Sequence, residues 1–258
     1  MSQPRPLLAL AAAAVATVVA LGTADIAAGA AVRPGPAAGP LRPPAAAPAD
    51  GLPTADQLKA ALLTAAELGP DFTEAPAAAS PSPGSAPAPA GGCTGLTALL
   101  NRHNTRLSPQ AVHQETELDG PGSNPMVTEA LTAEDPAGLT ADLAAATDAF
   151  TNCHSLTFGA GTDQAVTFTV TPLVLGDRPG TPAVRLDGTL SGVRLNGCLG
   201  IERFGSVGLF YGFFQRDSDS PQLASLYYRA AVAKAERTLG TPAGGAASPA
   251  ATTVVFSG

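Results

Sequence analysis

The stretch AVTFTVT, residues 165–171, alternates Val166, Phe168 and Val170 with Thr167, Thr169 and Thr171. A period of two marks strands of a sheet with one buried face. The alternation continues in Val184, Leu186 and Leu190, then in Val193, Leu195, Leu199 and Ile201. VGLFYGFF, residues 207–214, is instead apolar on both faces, with Gly208 and Gly212 alternating with Phe210 and Phe214 on one of them. That predicts a central strand with something packed closely over its glycines. Upstream, residues 111–118 and 126–133 predict paired strands around the turn DGPGSNP.

Helices surround these strands. TADQ at 54–57 is a capping box, and Leu58, Leu62, Ala65 and Ala66 predict one helix running to Leu68, where Gly69-Pro70 stops it. A short helix is expected from Thr94 to about Asn104, with Leu96, Leu99 and Leu100 inward. Leu139, Leu143, Ala146 and Phe150 predict a helix over 140–153. Ser220 caps the last helix with Pro221 at its first position, and Gly240 ends it after Leu239. The order of helices and strands gives a single α+β domain, residues 54–240.

The flanks read differently. Residues 1–30 have the pattern of a secretory signal: Arg5, an apolar run from Leu7 to Leu21, and the small residues Ala28-Gly29-Ala30. Thr23 and Asp25 cut the run short of the roughly 20 apolar residues a membrane span needs. Residues 31–53 form a Pro/Ala-rich flexible spacer, 75–92 a Pro-rich loop inside the domain, and 241–258 a low-complexity tail with a candidate edge strand at 252–256. The expectation is a secreted protein with no membrane span after signal cleavage. Net charge −7 and a pI near 4.8 argue against a nucleic-acid partner. Arg outnumbers Lys 12 to 2, a bias of a GC-rich genome rather than of function.

Three cysteines are too few for a disulfide-dense scaffold. Cys93 precedes one predicted helix and Cys153 ends another, so their bridge is the default in an exported chain; other pairings engage Cys198. Cys198 falls on the phase of Arg194, Asn196 and Glu202, opposite Leu195, Leu199 and Ile201, and reads as a leftover thiol unless Gly197 makes a bulge.

Catalytic constellations are lacking. His103, His113 and His154 are scattered, and better read as exposed or capping histidines than as a ligand trio. Ser206 in GSVG lacks a nucleophile-elbow context, and GAGTDQ at 159–164 is a turn rather than a phosphate loop. Asp217-Ser218-Asp219 lacks the Gly and distal Glu of a calcium loop and reads as a solvated turn. Glu115, Glu117 and Asp119 share one strand face, read as a solvated edge that resists aggregation. No catalytic residue, metal site or cofactor is assigned. The densest apolar material lies in Phe204, Phe210, Tyr211, Phe213, Phe214, Tyr227 and Tyr228. It predicts the main core; Phe210, Tyr211, Phe214, Tyr227 and Tyr228 are also candidate pocket-wall residues, with tyrosine hydroxyls as polar anchors.

LKAALLTAAELGPDF at 58–72, the Pro-rich loop, GGCTGLTALL at 91–100, Cys153 after a helix, and the string RLNG at 194–197 follow one order. In that order the chain resembles the extracellular sensor-domain family named for the mycobacterial kinase PknH. The resemblance spans residues 54–240 and implies a twisted, mainly antiparallel sheet flanked by helices. It implies a disulfide from the first Cys to the later one, a cleft for a small ligand, and no enzymatic activity. This chain departs in lacking a kinase domain, a membrane span and the cysteines for a second disulfide. The expectation is a stand-alone, non-catalytic sensor-like domain whose partner is a small ligand or envelope component. The alternatives are an interaction or structural module of the cell envelope, and a secreted hydrolase assembled only in three dimensions.

Overall fold

The structure, a computed structural model, describes residues 51–75, 91–97, 111–158 and 165–246. The signal segment, most of the spacer and Pro-rich loop, Leu99, Leu100, His103, GAGTDQ and the 252–256 segment lie outside the described residues.

The N-terminal helix of the sequence reading is two helices, α1 (Ala55–Ala61) and α2 (Ala65–Leu68). The Thr54–Gln57 capping box forms as expected. Leu62 is extended, with φ −71° and ψ 148°, and a second cap follows: Glu67 accepts from the Thr64 N–H and hydroxyl, both at 2.9 Å. The break leaves Leu62 and Leu63 both buried at the corner between the two helices. The remaining elements are β1 (Thr73–Glu74), β2 (Val112–Asp119), β3 (Met126–Ala133), α3 (Pro136–Asn152), β4 (Ser155–Phe158), β5 (Val166–Pro172), β6 (Ala183–Leu190), β7 (Val193–Gly205), β8 (Val207–Arg216), α4 (Pro221–Leu239) and β9 (Gly245–Ala246). Asp135 caps α3, its carboxylate accepting from the N–H groups of Ala137 and Gly138. At α4 the expectation of a Ser220 side-chain cap fails: only the Ser220 carbonyl takes part, accepting from Leu223 and Ala224. Gly240 ends α4 at φ 66°, a left-handed conformation glycine adopts without penalty.

The strands form one twisted sheet in the order β1-β2-β3-β8-β7-β6-β5-β4, antiparallel throughout, with β9 added parallel to β7. The α+β architecture is therefore as expected, and β8 lies inside the sheet between β3 and β7. Its glycines are covered: a Cβ at Gly208 would come within 2.8 Å of Leu139 Cδ1, and one at Gly212 would collide with the Thr128 hydroxyl.

Both sheet faces carry a core. On the first face, Phe168, Val170, Leu186, Leu199 and Phe214 pack beneath Ala146, Ala149 and Phe150 of α3. On the second, Val127, Leu131, Tyr211 and Phe213 pack beneath Leu58 of α1, the Leu62–Leu63 corner, and Ala224, Tyr228 and Ala231 of α4. The helical layers are offset. Thr167, Thr169 and Thr171 of β5 are exposed on the second face, while α3 reaches β5, β7 and β8 on the first.

Candidate functional site

Cys93 and Cys153 form the disulfide, with Cα atoms 5.5 Å apart. It joins the start of the short helical turn at 94–97 to the C-terminal end of α3, beside the first-face core. Cys198 is free and 5% exposed. Its phase is as read and no bulge intervenes, since Gly197 and Cys198 stay in register with Phe214 and Phe213. It is buried because α4 covers the face taken to be outward. Burial pushes its thiol up to about 12, so it holds no thiolate at neutral pH.

The five candidate wall aromatics do not line one wall. Phe210 and Phe214 face the first core, while Tyr211, Tyr227 and Tyr228 belong to the second. Tyr211 and Tyr228 pack edge to face at 5.3 Å, and the Tyr211 hydroxyl donates to the Ala224 carbonyl at 3.1 Å. Tyr228 lies 3.5 Å from buried Glu202, which also accepts from Arg178 at 2.7 Å. These tyrosines are interior groups with partners. Phe210 is only partly buried.

His113 and His154 are not gathered: His113 is on β2, and His154 is exposed before β4, at the far end of the strand order. Asp219 is paired with Arg185 at 2.7 Å, and Asp217 accepts from the Arg194 N–H at 3.2 Å, so the Asp217–Asp219 turn spends both carboxylates on its own fold. Among the described residues no three His, Cys, Asp or Glu side chains are placed to hold a metal ion.

A polar end of the first face emerges instead, beyond α3. Strand pairing sets Glu115, Ala130 and Phe210 in one row across β2, β3 and β8, and Glu117, Thr128 and Gly212 in the next. Short or absent side chains at Ala130 and Gly212 leave Phe210 and the carboxylates as the tall members. His113 closes one end; its side chain is 6% exposed, and its Nδ1 is 2.8 Å from Thr132 Oγ1. Its Nε2 lies 3.6 Å from a Glu115 oxygen, too far for a hydrogen bond, and has no other partner. Thr128, 4% exposed, also has a buried hydroxyl with no partner.

The expectation of a solvated acidic edge is corrected here. Glu117 and Asp119 are partly buried, and the Glu117 carboxyl is pushed up to about 7, first by burial and then by Asp119 and Glu115. Asp119 is also raised by burial, with Ser123 and Arg216 opposing. The three acids share one face as expected and Glu115 is exposed, but the depth of Glu117 and Asp119 is not legible in the sequence, because the pairing of β3 with β8 joins segments distant in the chain.

No protein-family model matches this sequence, and no curated protein matches it. Among solved structures the chain is similar to the extracellular domain of PknH from Mycobacterium tuberculosis, with a TM-score of 0.46 and 14% identity over 73% of this chain and 98% of that one.

Proposed function

We propose that the chain is a secreted, non-catalytic sensor-like domain of the PknH-like type, binding a small ligand with an organic cationic group at the polar end of its first face. The observation that carries this reading is the juxtaposition of Glu115 and Glu117 with the partly buried Phe210 ring, beside two buried, unpartnered polar atoms, His113 Nε2 and Thr128 Oγ1. Buried polar groups are ordinarily satisfied, so two orphans beside one patch support a polar ligand atom there. Same-face neighbours along a strand are about 6.5–7 Å apart at their Cα atoms, which leaves room for one cationic group between the Glu115 and Glu117 side chains. That spacing suits an ammonium or guanidinium group held between a carboxylate and an aromatic face. Export is supported by the N-terminal signal pattern and by a disulfide, which persists in oxidising compartments.

Calorimetric titration with arginine amide, lysine amide and choline tests the site, with glucose as the neutral control. At least one cation should bind at pH 6.5 and release part of a proton, because a cation beside Glu117 returns its carboxyl toward the ordinary range. Glu117→Gln should abolish the proton release and weaken binding about tenfold, the loss of ~1.4 kcal/mol of a charge-assisted contact. Binding that neither releases protons nor responds to Glu117→Gln, or no binding by any cation, would remove the site.

A further inference from the structure

We propose that the contact between Glu129 and the main chain of Leu63 is a proton-dependent latch that fastens the N-terminal helical pair to the sheet and tightens as the medium acidifies. It lies on the second face, away from the ligand patch, and does not depend on the ligand reading.

Glu129 sits in the middle of β3, 1% exposed, among Val127, Leu131 and Tyr211. One carboxyl oxygen accepts the Leu63 N–H at 2.8 Å; the other is buried with no partner. Leu63 is in the extended break between α1 and α2, so its N–H is free to turn inward only because the helix stops there. The groups facing Glu129 do not neutralise it. Its cross-strand neighbours are Thr116 on β2 and Tyr211 on β8, and the Tyr211 hydroxyl is committed to Ala224. Lys234 of α4 is the nearby cation, but its ammonium pairs with Glu67 of α2 at 2.6 Å. A carboxyl with one hydrogen bond, an apolar surround and a cation engaged elsewhere keeps its proton. Burial accordingly pushes Glu129 up to about 8, against the opposing pull of the Leu63 N–H and Lys234.

When the helical pair lifts, Glu129 meets water and returns to the ordinary glutamate range near 4.5. Docking therefore takes up a proton between those two values. The folded value is raised, so the latch is fully favourable below about 4.5 and is lost as pH rises through about 8. Within that window the docking equilibrium changes up to about tenfold per pH unit.

Amide hydrogen exchange across pH 5.5–8, corrected for intrinsic exchange, reads the latch directly at Leu58, Leu62 and Leu63. Their protection should fall with rising pH by up to about tenfold per unit. In Glu129→Gln, which retains a neutral acceptor for the Leu63 N–H, protection should be flat with pH. Flat protection in the unsubstituted protein, or an unchanged slope in Glu129→Gln, would overturn the proposal. Should that variant fail to fold, the side-chain carboxyl resonance of Glu129 in the unsubstituted protein decides: an inflection near 8 supports the latch, and one below 5 in the folded state eliminates it.

Discussion

Phe214 lies across Gly197, its register partner on β7, and Phe168 lies across Gly188, its partner on β6. Each glycine exists to admit a ring. A Cβ at Gly197 would stand 2.8 Å from the Phe214 ring and 3.1 Å from the Phe213 carbonyl oxygen, which cannot move without disturbing the ladder. Gly197→Ala should therefore cost about 1–3 kcal/mol, read as a lower denaturation midpoint with an unchanged slope. At this scale the sequence was partly legible. Alternation gives the phase of Cys198 but not its burial, because α4 covers that face from a distant part of the chain. Glu129 stands in phase with Val127, Leu131 and Ala133, all buried, so the alternation of residues 126–133 itself points to a buried acid. What it touches was not implied, since Leu63 is 66 positions away.

Elements behave as their caps dictate. Thr54-Ala-Asp-Gln57 starts α1, but Thr64-Ala-Ala-Glu67 repeats the same chemistry three residues after α1 ends, and two caps cannot share one helix. The leucine and alanine periodicity concealed that second start because both short helices are apolar on the side they turn inward. The helix α3 was legible in type, and begins earlier than expected because Asp135 and Pro136 make a better entry than Thr140. Its far end is held by Cys153, and the bond to Cys93 closes a loop with a sequence separation of 60. Opening that loop with Cys93→Ser should lower stability by up to about 4 kcal/mol on chain-entropy grounds. The variant should melt earlier while retaining the far-ultraviolet spectrum of the folded sheet. Cys198, buried and without thiolate character, should stay unalkylated in both native proteins.

For the whole molecule, carboxyl groups on opposite faces of the sheet share one pH response. Glu117 on the first face and Glu129 on the second both have raised values, about 7 and about 8, with burial the leading cause in each. The folded chain therefore holds more protons than the unfolded one from the ordinary glutamate range up to those values, and stability falls as pH rises across that window. Glu67, lowered through Lys234 and Thr64, acts in the opposite sense only at the acid limit. Thermal midpoints should decline from pH 5 to pH 8 and flatten in the double variant Glu117→Gln/Glu129→Gln; each kcal/mol is about 2–4 °C for a domain of this size. Sheet membership was legible from alternation and the fold class from element order, but the order of strands was not: β8 joins β3 across the long interval that contains α3 and four strands. One feature of that order fixes a length. Residue 75 leaves the sheet where its N–H bonds the Glu117 carbonyl at the β1–β2 edge, and Gly91 returns by bridging Thr157 on β4, at the opposite edge. At about 4.8 Å per strand those anchor points are roughly 35–40 Å apart before twist, against a reach of about 55 Å for the chain between them. The proline-rich interval thus carries a minimum reach, and an engineered chain can shed only a handful of residues there before the two edges can no longer be joined.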